Sequence, residues 1–144
     1  MNLIENKERI FSQVAQAMET ANRTDQVNVI AVTKYVGIDQ ANALVDTGVR
    51  HIGENRVDKF LEKYQALKDE GLTWHLIGSL QRRKVKEVIN YVDYFHALDS
   101  MKLAQEIQKR ASHPIKCFIQ VNISGEESKH GFAPEELDAL LPEM

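Results

Sequence analysis

Only one cysteine occurs in the 144 residues, Cys117, so no disulfide can form within the chain and a reducing compartment is expected. Apolar runs are short. None approaches the ~20 residues that span a bilayer, and the N-terminus has no apolar signal-peptide core. Neither sign of charge dominates, because a formal net charge of -3 gives no general attraction to nucleic acid or anionic lipid. Asn-Gly, the strongest hairpin signal, is missing, which argues against an antiparallel sheet. The glycine fingerprint of dinucleotide-binding folds is also missing after the first apolar run. Five histidines, His51, His75, His96, His113 and His130, show no metal-ligand spacing. What remains is a hydrophobic fraction of 43% beside 27% charged residues, the balance of a globular cytoplasmic protein with enough chain for one domain over 1–144.

The apolar pattern repeats. An amphipathic opening helix is marked by Ile4, Phe11, Val14, Ala15 and Met18. Five strand-then-helix units follow. Strands are expected at 27–33, 51–55, 74–77, 94–98 and 115–122. Helical stripes follow each: Ile38, Ala41, Leu44 and Val45; then Val57, Phe60, Leu61, Tyr64 and Leu67; then Val85, Val88 and Ile89; then Leu103, Ala104, Ile107 and Ala111; and last Leu137, Leu140 and Leu141 behind Pro134. Gly48 and Gly71 stand where the first two of these helices should stop. Alternating units of this kind predict an α/β fold with a parallel sheet and right-handed crossovers. Periodicity alone leaves two architectures, an open doubly wound sheet or part of a (β/α)₈ barrel. A barrel normally takes eight units in ~250 residues, and five are visible here.

Both architectures place chemistry at the C-terminal ends of strands. Those ends are Lys34, Gly53-Glu54-Asn55, Gly78-Ser79, Asp99, and Asn122 with the polar loop behind it. A lysine that ends a strand is ordinarily a solvated terminus. If desolvated, its amine can be neutral and can attack an aldehyde to form an imine. Asn55 would cap the helix expected from Arg56, or hydrogen-bond a bound ring. His75 reads as a core histidine, Cys117 as a small buried hydrophobe, and the run Arg82-Arg83-Lys84 with Lys86 as a solvated helix face. Lys129, between Gly125 and Gly131, reads as an ordinary loop lysine.

Several motifs then occur in a fixed order: Ala31-Val32-Thr33-Lys34, Gly53-Glu54-Asn55-Arg56-Val57, Trp74-His75-Leu76-Ile77-Gly78, Leu80-Gln81 with Lys84, and Val121-Asn122-Ile123-Ser124-Gly125-Glu126 with Ser128-Lys129 and Gly131. In this order they resemble the pyridoxal phosphate homeostasis proteins, also described as proline synthetase co-transcribed homologues. The resemblance implies the (β/α)₈ TIM-barrel type of the alanine racemase N-terminal domain, incomplete here at about five units. It implies pyridoxal 5'-phosphate (PLP) held as an internal aldimine on Lys34. Asn55 would lie beside the cofactor ring, His75 near the barrel interior, and Lys129 where similar racemases place an arginine near the phenolic oxygen. Arg83 stands where the family usually has asparagine. Family members continue through three further strands, which carry the serine, glycine and arginine groups that hold the cofactor phosphate.

The implied function is cofactor buffering or delivery to PLP-dependent apoenzymes, without robust catalysis. In similar racemases a second domain, packed against another subunit, supplies the opposing tyrosine. Full-length members of the family are expected to be monomers, and a five-unit piece, with two unpaired sheet edges, to self-associate. The alternatives are a PLP-dependent amino-acid racemase or lyase, and a cofactor-free protein that binds an acidic partner through the basic helix face.

Overall fold

The computed structural model describes residues 2–125 and 130–143. After α1 (Leu3–Thr20), strands and helices alternate: β1 (Ala31–Val32), α2 (Ile38–Asp46), β2 (His51–Glu54), α3 (Val57–Leu67), β3 (Thr73–Leu76), α4 (Val85–Val88), β4 (Tyr94–Leu98), α5 (Met101–Arg110), β5 (Lys116–Ile119) and α6 (Pro134–Leu140). All four strand pairings are parallel, and the strands lie side by side in chain order, β1-β2-β3-β4-β5. That order decides what periodicity left open. A doubly wound sheet reverses its strand order and so carries helices on both faces. Here every crossover steps the same way, so right-handed connections put all the helices on one face, as in a barrel wall.

Side-chain alternation separates the faces. Ile52, Trp74, Leu76, Phe95 and Ala97 point to the helices and are buried with Ala41, Val45, Phe60, Leu67, Val85, Val88, Ile89, Leu103 and Ile107. Phe60 sets its ring edge against Trp74 at 5.5 Å, and Tyr64 packs beside both. The opposite face carries His51, His75, Tyr94, His96 and Phe118, and Phe118 is 55% exposed.

The expected elements are present, with three shortened. The first strand is two residues rather than 27–33. Ala31 pairs with Ile52, so Ile30 would stand opposite His51, and β2 has no residues further back to pair with 27–29. The fifth strand stops at Ile119 because the chain then turns to pair with Phe132, through Asn122 N–H to Phe132 O and Phe132 N–H to Gln120 O, both 2.8 Å. The helix after β3 is one α-turn between 3₁₀ segments at 82–84 and 89–91. Its N-terminus lacks a side-chain cap and carries Arg82, Arg83 and Lys84, whose charges oppose the helix dipole. Gly48 follows the end of α2 as expected, at φ 106°, whereas α3 passes into a 3₁₀ turn at Lys68–Glu70 that Gly71 ends at φ 70°. The opening helix Leu3–Thr20 forms with no fully buried residue, although Phe11 packs against the core.

Candidate functional site

Register fixes which residues share the C-terminal rim. Val32 is level with Gly53, and Glu54 with Leu76. Extending these ladders by one or two residues brings Lys34, Asn55 and Ile77 to one height. Lys34 occupies the second position of a β-turn, closed by Val36 N–H to Thr33 O at 3.2 Å. It is exposed, and its ammonium lies 5.0 Å from the centroid of the Tyr35 ring. Lys34 is therefore the solvated terminus that a strand-ending lysine ordinarily is, lifted on the turn into solvent and not desolvated. The amine makes no ion pair among the described residues.

Asn55 does not cap a helix. The N-cap of α3 is Arg56, and it makes no side-chain cap bond. Asn55 is instead half-buried, and its carbonyl packs so closely against Gly78 that a Cβ there would lie 2.2 Å from the Asn55 oxygen. Any other residue at 78 would force the ends of β2 and β3 apart. The closeness of this contact keeps Asn55 at the rim, beside the Lys34 turn.

A buried polar cluster supports the rim from below. Glu54 ends β2 with no exposure, and Lys63 on α3 and Thr33 after β1 are each 2% exposed. Lys63 Nζ reaches Glu54 Oε2 at 2.5 Å and donates to the Thr33 carbonyl at 2.5 Å. The Thr33 hydroxyl donates to the same carboxylate oxygen. Glu54 was visible in the rim motif, but Lys63 was missed. The available signal was its spacing, three residues after Phe60 and four before Leu67, which puts a charge on the apolar side of α3.

His75 lies about two residues, roughly 6–7 Å, deeper than Lys34 and Asn55. Its Nε2 hydrogen-bonds His51 Nδ1 at 3.0 Å and its Nδ1 bonds His96 Nε2 at 2.9 Å. The ring also stacks on Tyr94 at 4.8 Å. A neutral imidazole donates through one nitrogen and accepts through the other, so His75 is satisfied on both sides. Burial, aided by the two flanking histidines, pushes its pKa down to about 4, and burial also lowers that of His96. The expectation of a core histidine near the sheet interior holds. The row itself was not anticipated, although His51, His75 and His96 recur one per β/α unit and so fall on adjacent strands.

The remaining candidates separate from the rim. Arg82, Arg83 and Lys86 are exposed, as a solvated face requires. Cys117 is half-buried, and burial pushes its thiol pKa up. Lys129 lies outside the described residues. Among the described residues no three His, Cys, Asp or Glu side chains converge on a metal position.

Comparison with known proteins bears on this arrangement directly. Residues 6–144 match the family described as alanine racemase, N-terminal domain. The chain belongs to that family. It is 40% identical to the pyridoxal phosphate homeostasis protein of Aquifex aeolicus, over 98% of this chain and 64% of that protein. It is 32% identical to the namesake in Pseudomonas aeruginosa, over 96% and 62%. The chain thus spans less than two thirds of the curated relatives it matches. Among solved structures, PipY of Synechococcus elongatus with PLP bound superposes with a TM-score of 0.82 at 28% identity, covering 99% of this chain and 63% of PipY. The same protein without PLP gives a TM-score of 0.76 at 35% identity, covering 81% and 56%. Five parallel strands in consecutive order are therefore part of the TIM barrel of the alanine racemase N-terminal domain. No helix of the described residues is long and apolar enough to cross a membrane.

Proposed function

We propose that this chain binds pyridoxal 5'-phosphate covalently through Lys34 and takes part in the intracellular handling of that cofactor, without robust turnover of its own. The observation that carries the reading is the Lys34 turn: an exposed primary amine, free of ion pairs among the described residues, held on a fixed backbone at the C-terminal rim of a barrel wall. A PLP-bound relative of the same fold and relatives named for pyridoxal phosphate homeostasis support it.

The rim residues fit the group chemically. PLP supplies an aldehyde, which condenses with a primary amine and releases its carbonyl oxygen as water. Lys34 would present Nζ at the rim as the nucleophile toward that aldehyde. Asn55, not consumed by helix capping, offers both a donor and an acceptor to ring substituents. His75, engaged with two other histidines below the rim, shapes the floor and keeps its ring neutral at pH 7. Lys129 is assigned the supporting place near the phenolic oxygen by resemblance alone. The recipients would be PLP-dependent apoenzymes.

The test is chemical. The chain is mixed with PLP, reduced with borohydride and digested, and the modified lysine is located by mass spectrometry. Modification at Lys34 is expected. Modification of another lysine with Lys34 untouched would refute the proposal.

A further inference from the structure

Among the described residues the Lys34 ammonium has no hydrogen bond or ion pair and lies only beside the Tyr35 ring, so the direction of this side chain is set chiefly by its backbone. That backbone is held with unusual thoroughness at one residue, Thr33. Its N–H donates to Gly53 O at 3.0 Å, tying the turn to β2. Its hydroxyl donates to the Glu54 carboxylate. Its carbonyl accepts both Val36 N–H, which closes the turn, and the Lys63 ammonium, which reaches in from α3. Every polar group of Thr33 is engaged, and the two charged partners are themselves paired at 2.5 Å with essentially no exposure.

Fold stability alone does not call for such an arrangement. A buried ion pair loses so much hydration that well-packed apolar side chains of similar volume commonly hold a fold as well or better. This pair is not even fully compensated, because Glu54 Oε1 is buried without a partner among the described residues. Apolar side chains would fill the same space between β1, β2 and α3. They could not bond the carbonyl and hydroxyl of the residue that precedes Lys34.

We propose that Lys63 and Glu54 are positioning residues for Lys34: they fix the Thr33–Val36 turn so that the amine is presented at the rim. The inference rests on the reading of Lys34 as the cofactor lysine, and it assigns the pair no contact with the cofactor. Rim geometry is thereby coupled to the packing of α3, since any displacement of this helix pulls on the Thr33 carbonyl.

The experiment compares the wild-type chain with Lys63→Met, the apolar double variant Lys63→Met/Glu54→Leu, and the milder Lys63→Met/Glu54→Gln. Gln keeps an acceptor for the Thr33 hydroxyl. Lys63→Met alone strands a buried carboxylate and is expected to lower the melting temperature, which at least one double variant restores. At that matched stability, amide exchange at Thr33 and Val36, read by NMR, is expected to accelerate at least tenfold. The concentration of PLP needed for half-maximal borohydride-fixed labelling of Lys34 should rise at least tenfold. Wild-type exchange at Thr33 and Val36 in a folded double variant would overturn the inference. So would unchanged labelling in that variant. If neither double variant folds, the pair is structural and the inference also fails. Absence of Lys34 labelling in the wild-type chain refutes the cofactor reading instead, while the exchange arm still judges whether the pair holds the turn.

Discussion

His75 is neutral in the folded chain, and the cost of protonating it there governs how the sheet responds to acid. Its ring is 3% exposed, hydrogen-bonded on both nitrogens to His51 and His96, and stacked on Tyr94, so an added proton meets desolvation and two other imidazoles. A proton on His75 also turns an accepting nitrogen into a donor, which breaks one bond of the row unless a neighbour changes tautomer. The unfolded chain has none of these penalties and protonates near the ordinary value of 6.5. Above that pH neither state carries the proton and His75 adds no pH dependence. Between 6.5 and about 4 the unfolded state gains the proton first, so stability falls as the pH falls. Below about 4 both states carry it, and the loss is complete.

The interval from 6.5 to about 4 corresponds to about 3 kcal/mol, and water reaching the open sheet face reduces this to roughly 1–3 kcal/mol. Urea unfolding of wild type and His75→Gln at half-unit steps from pH 7.5 to 4 measures it. Glutamine keeps a donor and an acceptor but cannot titrate. Carboxylates such as Asp58 titrate in both proteins and cancel in the difference. The wild-type curve is expected to fall more steeply than the variant curve, by that amount, between pH 6.5 and 4. Parallel curves, or a His75 pKa of 6 or above by NMR, would refute the reasoning.

Other outcomes follow from single contacts. Lys34→Ala removes an exposed side chain, so stability should change by no more than about 0.5 kcal/mol while borohydride-fixed PLP is lost from residue 34; a large shift in melting temperature would contradict its exposure. Gly78→Ala puts a Cβ 2.2 Å from the Asn55 oxygen, so it should destabilise the chain by about 1–3 kcal/mol, as measured by urea unfolding, and displace the Asn55 amide resonance. Phe60→Ala empties a site with no exposure between Tyr64 and Trp74 and should cost about 3–5 kcal/mol in the same assay. Incubation of the PLP-loaded chain with L-amino acids should yield no appreciable D-enantiomer by chiral chromatography, and substantial conversion would favour the racemase reading.

Period and punctuation made the fold largely legible. β4 forms at 94–98 as expected, and α3 begins and ends on its apolar stripe from Val57 to Leu67. Strand order was not legible, because a right-handed crossover reads the same along the chain in a barrel and in an open sheet. Both edge strands came out shorter than their apolar runs. Residues 27–30 have the β-branched composition of a strand, but a strand also needs a partner of matching extent, and β2 begins only at His51. Composition describes the residue; pairing depends on what lies beside it.

The site was legible where a residue type announced itself and hidden where a neighbour set its role. Lys34 and Asn55 stand at strand ends that any parallel fold would expose, so their place on the rim was legible; Lys34 is the solvated terminus such a position ordinarily gives, whereas the cap expected of Asn55 is not made. Lys63 was passed over because a lysine in an amphipathic helix is normally solvated, and only the depth of residues 60, 63 and 67 together reveals that α3 turns this one inward. The three histidines show the same limit. His75 alone reads as a satisfied core histidine and the other two as unremarkable, and their joining requires the register that sets Gly53 beside His75 and His75 beside Tyr94. His51 lies two residues before Gly53 on β2, and His96 two residues after Tyr94 on β4. Both therefore share the face of His75 on diagonal positions of neighbouring strands, close enough to bond it on either side. Spacings of 24 and 21 residues, one β/α unit each, are the trace this leaves in the sequence, and they gain meaning only after the strands are known to be consecutive neighbours. A polar row inside a barrel wall is thus a property of register, just as the placement of Lys34 is a property of the residues that hold Thr33.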